Sequence, residues 1–321
     1  MKNWMRKRAL VVAALAMATT ASQAPAQTPL RLVVGFPPGA TSDTMTRAIA
    51  EGMRPHFDRA IVVENRPGGG GLAALLFVKS QPADGNMLLM SPLGTMLQPH
   101  SVKAAQFNPV TDFTTITQAS TFDIAFAVGS AVPAKSMQEY VALVKKEPRR
   151  GDFASAAAGS LPNFFALMFA RTAGIEMTHI PYKGTAPAIT ATLGGEVNLL
   201  STTAPDISNQ VKGGKLRALA VSSAKRSLLL PDTPTFKELG YNIEGSAWYG
   251  LLAPAKTPPE VIKKLHTAWV AAIKSPVVAE RMRLMGVEPT GTSPEEFGAI
   301  LKADYERWGT VIRASGFKAD D

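Results

Sequence analysis

The chain has 321 residues with 34 Lys and Arg against 25 Asp and Glu, a formal charge of +9, and no cysteine. Disulfides, thiol catalysis and cysteine-ligated zinc are therefore excluded. Nearly half of the residues are hydrophobic, enough for sizeable cores, and the length predicts two lobes.

Residues 1–26 read as an export leader. Lys2, Arg6, Lys7 and Arg8 precede an apolar, Ala-rich run over 9–19, and Ala24-Pro25-Ala26 supplies the cleavage pattern. The run is shorter than the roughly 20 residues a membrane span needs. Cleavage after Ala26 predicts an exported, soluble chain, and removes four of the nine excess positive charges. The remaining bases are dispersed. The densest group, Lys145, Lys146, Arg149 and Arg150, follows an amphipathic stretch and marks the solvated end of a helix, not a nucleic-acid surface.

The most telling segment comes next. An apolar strand at 32–34 runs into a Pro/Gly turn at 35–41 and then a helix, with Ser42 as expected N-cap and Asp43 in the first turn. Met45, Ala48, Ile49 and Met53 share one helical face. Such a unit aims free backbone N–H groups and a positive helix end at whatever lies above the strand, which suits an anion. Further strands are predicted at 61–64, 87–91, 124–128, 152–156, 177–180, 197–200 and 216–221. Helices are predicted at 42–56, 71–80, 136–147, 163–174, 185–194, 258–275, 276–285 and 293–316, the last opened by Ser293 with Glu296 in capping-box spacing. This alternation predicts an α/β fold with mainly parallel sheets. Extended apolar runs at 126–130 and 246–252 are the expected crossings between lobes. They divide the chain into a first lobe of 27–127 plus 247–321 and a second of 128–246.

Residues for chemistry are few. The four histidines, His56, His100, His179 and His266, show no metal-ligand spacing. There is no G-x-S-x-G elbow and no phosphate-binding P-loop. Gly69-x-Gly71-x-x-Ala74 after a strand matches a relaxed dinucleotide fingerprint, but the expected acid about 20 residues on is missing. Close approach of backbone to a neighbour explains these glycines better. Asp43, Asp112, Asp123 and Asp206 are scattered and read as caps or turns. No cofactor, metal or catalytic residue is expected, and no enzyme activity.

Several strings then line up in order: FPPGATSD at 36–43 with Arg47, ENRPGGGG at 64–71, PADG at 82–85, IPYKG at 180–184, GGEV at 194–197, GKLRALA at 214–220, PDTPT at 231–235 and WYGL at 248–251. In this order and spacing the chain resembles the Bug family, the periplasmic solute receptors of tripartite tricarboxylate transporters. The resemblance covers essentially the whole chain after the leader. It implies a type 2 periplasmic binding protein, each lobe a sheet flanked by helices, closing on a small organic carboxylate and delivering it to the membrane subunits of such a transporter. The implied receptor is a monomer with no nucleic-acid partner; a ligand-loaded sensor and an exported enzyme are the alternatives.

The resemblance implies ligand contacts from Phe36, Gly39, Ala40, Thr41, Ser42 and Asp43 in the first lobe. Gly159, Ser160, Asn163, Tyr182, Lys183 and Thr202 are the implied contacts from the second. Three departures stand out: Ala40, Asn163-Phe164 and Thr202 occupy positions where the family commonly has Gly, His-Leu and Asp. Loss of an acid and a histidine implies a less charged pocket and a ligand with one carboxylate and an apolar or aromatic body. Asp43 beside a bound carboxylate is repulsive. It either caps its own helix and points away, or meets an amine on the ligand.

Overall fold

The computed structural model describes residues 28–182, 184–315 and 317. The expected leader with its cleavage site, and Lys183, lie outside the described residues.

Strand β1 (Leu30–Val34) sends Leu30, Leu32 and Val34 into one apolar cluster and Val33 into another, the period-2 alternation of a strand covered on both faces. Helix α1 (Thr41–Met53) leads to β2 (Ile61–Asn65), parallel to β1. Helix α2 (Leu72–Lys79) leads to β3 (Met87–Pro92), parallel to β1 on its other side. After the short α3 (Leu93–Met96), β4 (Phe113–Phe122) leaves this sheet, and β5 (Ile124–Gly129) enters a second one.

The second sheet continues through α4 (Met137–Lys146), β6 (Asp152–Ser155), α5 (Leu161–Ala173), β7 (Thr178–Pro181), α6 (Thr185–Gly194), β8 (Leu199–Thr203), α7 (Ala204–Lys212) and β9 (Leu216–Val221). The chain then returns to the first sheet as β10 (Ala247–Pro254). It closes with α8 (Pro259–Lys274), α9 (Pro276–Leu284), β11 (Glu288–Pro289) and α10 (Pro294–Ala314). Ser293 caps α10 as its spacing predicts, accepting from the Glu296 amide at 3.1 Å.

The sheet orders are β11-β4-β10-β3-β1-β2 and β7-β6-β8-β5-β9. The expected two-lobed α/β architecture is present, but each sheet is mixed. Strands β2-β1-β3 and β7-β6-β8 are parallel, whereas β4, β10, β11, β5 and β9 pair antiparallel. One strand of each crossing pair leaves a sheet while the other enters it, so they run in opposite senses.

The first passage between sheets falls at Asp123, not at the expected 126–130. Ile124 already pairs with Thr203 and Ala125 with Val221, and both are fully buried. Apolar alternation shows that the run is a strand, but which sheet it joins depends on distant partners. On the return, β10 belongs to the first sheet from Ala247 onward.

The apolar cores follow this plan. One cluster covers a face of the first sheet and one a face of the second. A third runs continuously from one sheet to the other through Trp248, Phe297, Trp308 and Phe165. In it the Trp308 ring meets Phe165 at 4.8 Å, so α10, packed on β4, also touches α5.

Candidate ligand-binding cleft

The pairing registers locate a cleft without reference to any ligand. Val34 pairs with Met90, and Tyr249 with both Pro92 and Ser120. The carboxyl ends of β1, β3 and β4 therefore share one sheet edge with the start of β10. Ser155 pairs with Pro181, and Thr203 with Ile124. The carboxyl ends of β6, β7 and β8 thus share an edge with the start of β5. A single residue, Asp123, joins β4 to β5, so the two edges face each other. In each sheet the chain also reverses its direction of build-up: β2 and β3 flank β1, and β7 and β8 flank β6. Ligands of open α/β sheets lie outside the carboxyl ends of the strands at such switch points. The loops at these points are 35–40 and 156–160.

In the first loop the helix N-cap is Ala40, not the expected Ser42, and Ala40 supplies no side-chain acceptor. Helix α1 starts early because the Asp43 carboxylate reaches back to accept from the Gly39 amide at 2.9 Å, and Gly39 turns the chain at φ +86°. Thr41 and Ser42 form the first helical turn, where amides have no intrahelical acceptor. Asp43 is buried and fully engaged. It accepts from Arg47 Nε at 2.9 Å and from Asn65 Nδ2 at 2.8 Å, and Asn65 also donates to the Phe36 carbonyl at 3.0 Å. Burial works against its charge, but these hydrogen bonds and the Arg47 charge outweigh it and hold the carboxyl below its usual value. Of the two expected roles, the one observed is the strut of its own turn.

The glycine run at 68–71 serves close approach, as expected. A Cβ on Gly35 would lie 2.6 Å from Gly71 Cα, and one on Gly71 would lie 2.7 Å from Thr95 Oγ1.

In the second loop, Ser160 caps α5 by accepting from the Asn163 amide. Ser155 Oγ lies 2.7 Å from His179 Nε2, 3.0 Å from the Ala157 carbonyl and 3.3 Å from Ser160 Oγ, tying the loop to its strands. Burial pushes the His179 pKa down to about 4, so the ring is neutral at pH 7. The Tyr182 and Gly184 amides donate to Ser155 and Ala156 carbonyls, lacing the β7 loop to this one. Asn163 is 1% exposed, and neither its Oδ1 nor its Nδ2 has a partner among the described residues. An amide buried in this state is costly unless another molecule supplies the bonds.

Thr202, the position of the missing acid, is buried at the end of β8. Its hydroxyl donates to Asp206 Oδ2 at 3.3 Å, and that of Thr203 donates at 2.7 Å. Asp206 returns an acid to the cleft edge one helical turn later. Burial raises its pKa despite the hydrogen bonds from Thr203, Thr202 and Thr185. Tyr249, from the facing edge, has its hydroxyl pKa raised by burial and then by the Asp206 charge. Reading Asp206 as a plain cap leaves out the reach of its charge to Tyr249. The Thr203-x-x-Asp206 spacing after a strand was the available signal, and Tyr249 needed the antiparallel register of β10.

The raised value means that the fold favours protonated Asp206. The resulting penalty is absent below the ordinary value of 3.8 and complete once pH exceeds the folded value. Asp206→Asn, which keeps an acceptor for Thr203, should gain thermal stability relative to wild type as pH rises from 4 to 7. Melting curves of both proteins at the two pH values check this; a difference that does not change with pH contradicts it.

Residues 45–317 match the family model described as the tripartite tricarboxylate transporter family receptor. The chain belongs to this receptor family. It is 30% identical over 316 residues to protein BugT of Bordetella pertussis, with 96% of this chain and 95% of that protein covered. Among solved structures, an R. palustris protein with adipate is 29% identical at TM-score 0.81, covering 91% of this receptor and 99% of that chain. MatC of Rhodopseudomonas palustris with bound malate is 26% identical at TM-score 0.77, covering 88% and 98%. The fold is that of periplasmic binding proteins: the structure of periplasmic binding protein BugD is 32% identical at TM-score 0.78, covering 91% of this chain and 99% of that one.

Proposed function

We propose that this receptor is exported to the periplasm, captures a small organic carboxylate by closure of its two lobes, and delivers it to the membrane subunits of a tripartite tricarboxylate transporter. The lobes are the units built on the two sheets, hinged at Asp123 and at the return into β10. The observation that carries this reading is the facing of two loops, 35–40 and 156–160, at the switch points of both sheets.

On this reading, one ligand carboxylate is held by the first-turn amides of α1, at Thr41 and Ser42, with Gly39 and Ala40 in van der Waals contact and Asp43 bracing the turn. Backbone N–H groups at a helix start suit an anion without a cationic side chain. Gly159, Ser160, Asn163, Tyr182 and Thr202 close from the other lobe, and Lys183 is retained as a contact from the sequence. Phe36, Phe122 and Tyr249 are partly buried aromatics of the facing edge. They favour a ligand whose remaining body is apolar or aromatic.

The test is a thermal-shift and tryptophan-fluorescence titration of the purified protein with benzoate, adipate, malate and citrate. A ligand binding the folded state stabilises it by about 2.7 kcal/mol at a hundredfold excess over Kd. Saturable stabilisation without turnover, with monoacids or adipate above citrate, is the expected result. Product formation, or no response to any carboxylate, overturns the receptor reading. Tight citrate binding with no response to benzoate overturns the apolar-body reading alone.

A further inference from the structure

Phe317, which follows α10, lies on the second-lobe loop although α10 belongs to the first lobe. A Cβ placed on Gly159, where φ is +70°, would lie 2.9 Å from Phe317 Cε1 and 3.0 Å from its Cζ. The same point is 3.9 Å from Ser101 Oγ of the first lobe, so the ring sits where the lobes meet. Its edge meets Phe164, with centroids 5.4 Å apart at 84°. The Phe317 amide donates to Ser315 Oγ at 3.2 Å, which fixes the approach from α10.

Helix α10 is firmly held by the first lobe. Trp248 Nε1 donates to Asp304 Oδ2 at 2.8 Å, and the His100 ring lies 4.1 Å from Tyr305 while its Nε2 meets the Tyr305 carbonyl at 3.0 Å. On α5, Asn163, whose side-chain amide has no partner among the described residues, directly precedes Phe164 in the chain. A half-buried aromatic ring over a switch-point loop lines the place where ligands of open α/β sheets lie.

We propose that Phe317 is a specificity-determining residue whose ring forms an apolar wall of the cleft over Gly159. The proposal rests on the carboxylate-receptor reading. The ring covers the ligand's body while the carboxylate faces the α1 amides, so it discriminates by the shape and polarity of the body and not by charge. Gly159 is required because any side chain there displaces the ring.

The test compares wild type, Phe317→Ala and Gly159→Ala, titrated with benzoate and with malate, alongside hydrogen exchange at residues 157–160. Phe317→Ala should weaken benzoate by about tenfold and malate by less than about twofold. Amide exchange at 157–160 should rise in the same variant and also in Gly159→Ala, where the added Cβ displaces the ring. Equal change for the two acids, no change for either, or wild-type binding of malate but not benzoate overturns the proposal. If wild type binds neither acid, nor adipate and citrate, the receptor reading fails by itself. Exchange then decides the placement of Phe317: unchanged exchange at 157–160 overturns it, and increased exchange supports it.

Discussion

Asp43→Ala is expected to destabilise the protein by about 2–3 kcal/mol and to abolish carboxylate binding. The carboxylate is the only acceptor shared by Gly39, Arg47 and Asn65 in the hydrogen bonds described above. Removing it leaves the Gly39 amide without this acceptor and loosens Asn65, which also holds the Phe36 carbonyl, so the loop before α1 relaxes. The Arg47 side chain is half exposed and recovers water, so the loss stays below that of a fully buried pair. Because the fold lowers the Asp43 pKa, its stabilisation is complete above the ordinary value of 3.8 and disappears as pH falls through the folded value. Urea denaturation should therefore show a gap between wild type and variant at pH 7 that closes towards pH 2. Asp43→Asn tests the strut role separately. It should weaken binding of plain carboxylates and amino acids alike, whereas a selective loss of amino acids would restore the amine-partner role.

Asn163→Leu is the counterpart, with stability and binding moving in opposite directions. Leu keeps the branching at Cγ and the number of heavy atoms, and brings no polar atoms. Replacing a buried amide that has no protein partner should stabilise the ligand-free protein by about 1–2 kcal/mol. The same change removes both a donor and an acceptor from the second-lobe loop, and carboxylate affinity should fall by at least about tenfold. Chemical denaturation and ligand titration of one preparation measure both. A destabilised variant that binds normally would show that the amide serves the fold. Ser160 keeps its capping bond to the Asn163 backbone in this variant, so α5 itself is not at risk.

Both residues were named from the sequence, but their roles were not. Asp43 was legible as a first-turn acid because helix starts have a local signature. That it accepts from Asn65 depends on β2 lying beside β1, a contact across 22 residues. Ser42 was misread as the N-cap because cap preference ranks Ser far above Ala, whereas the side chain of Asp43 takes over the turn from inside the helix. Asn163 gave no sign of its unpaired amide, since burial of a single side chain on an amphipathic helix is set by what packs over it. The same holds for Thr202 and Asp206, where the acid moved by four positions and stayed on one helix end.

The sequence by itself determined the alternation of strands and helices, the anion-ready turn after β1, the close-approach glycines and the family. These are properties of local spacing, turn chemistry and ordered short motifs, all of which act within a few residues. Only the tertiary structure decided that the sheets are mixed, that the chain changes sheet at Asp123, and that Tyr249, Asp206 and Phe317 come to the cleft. Strand direction, sheet membership and lobe contact depend on pairings between residues far apart in the chain, and no local pattern encodes the partner.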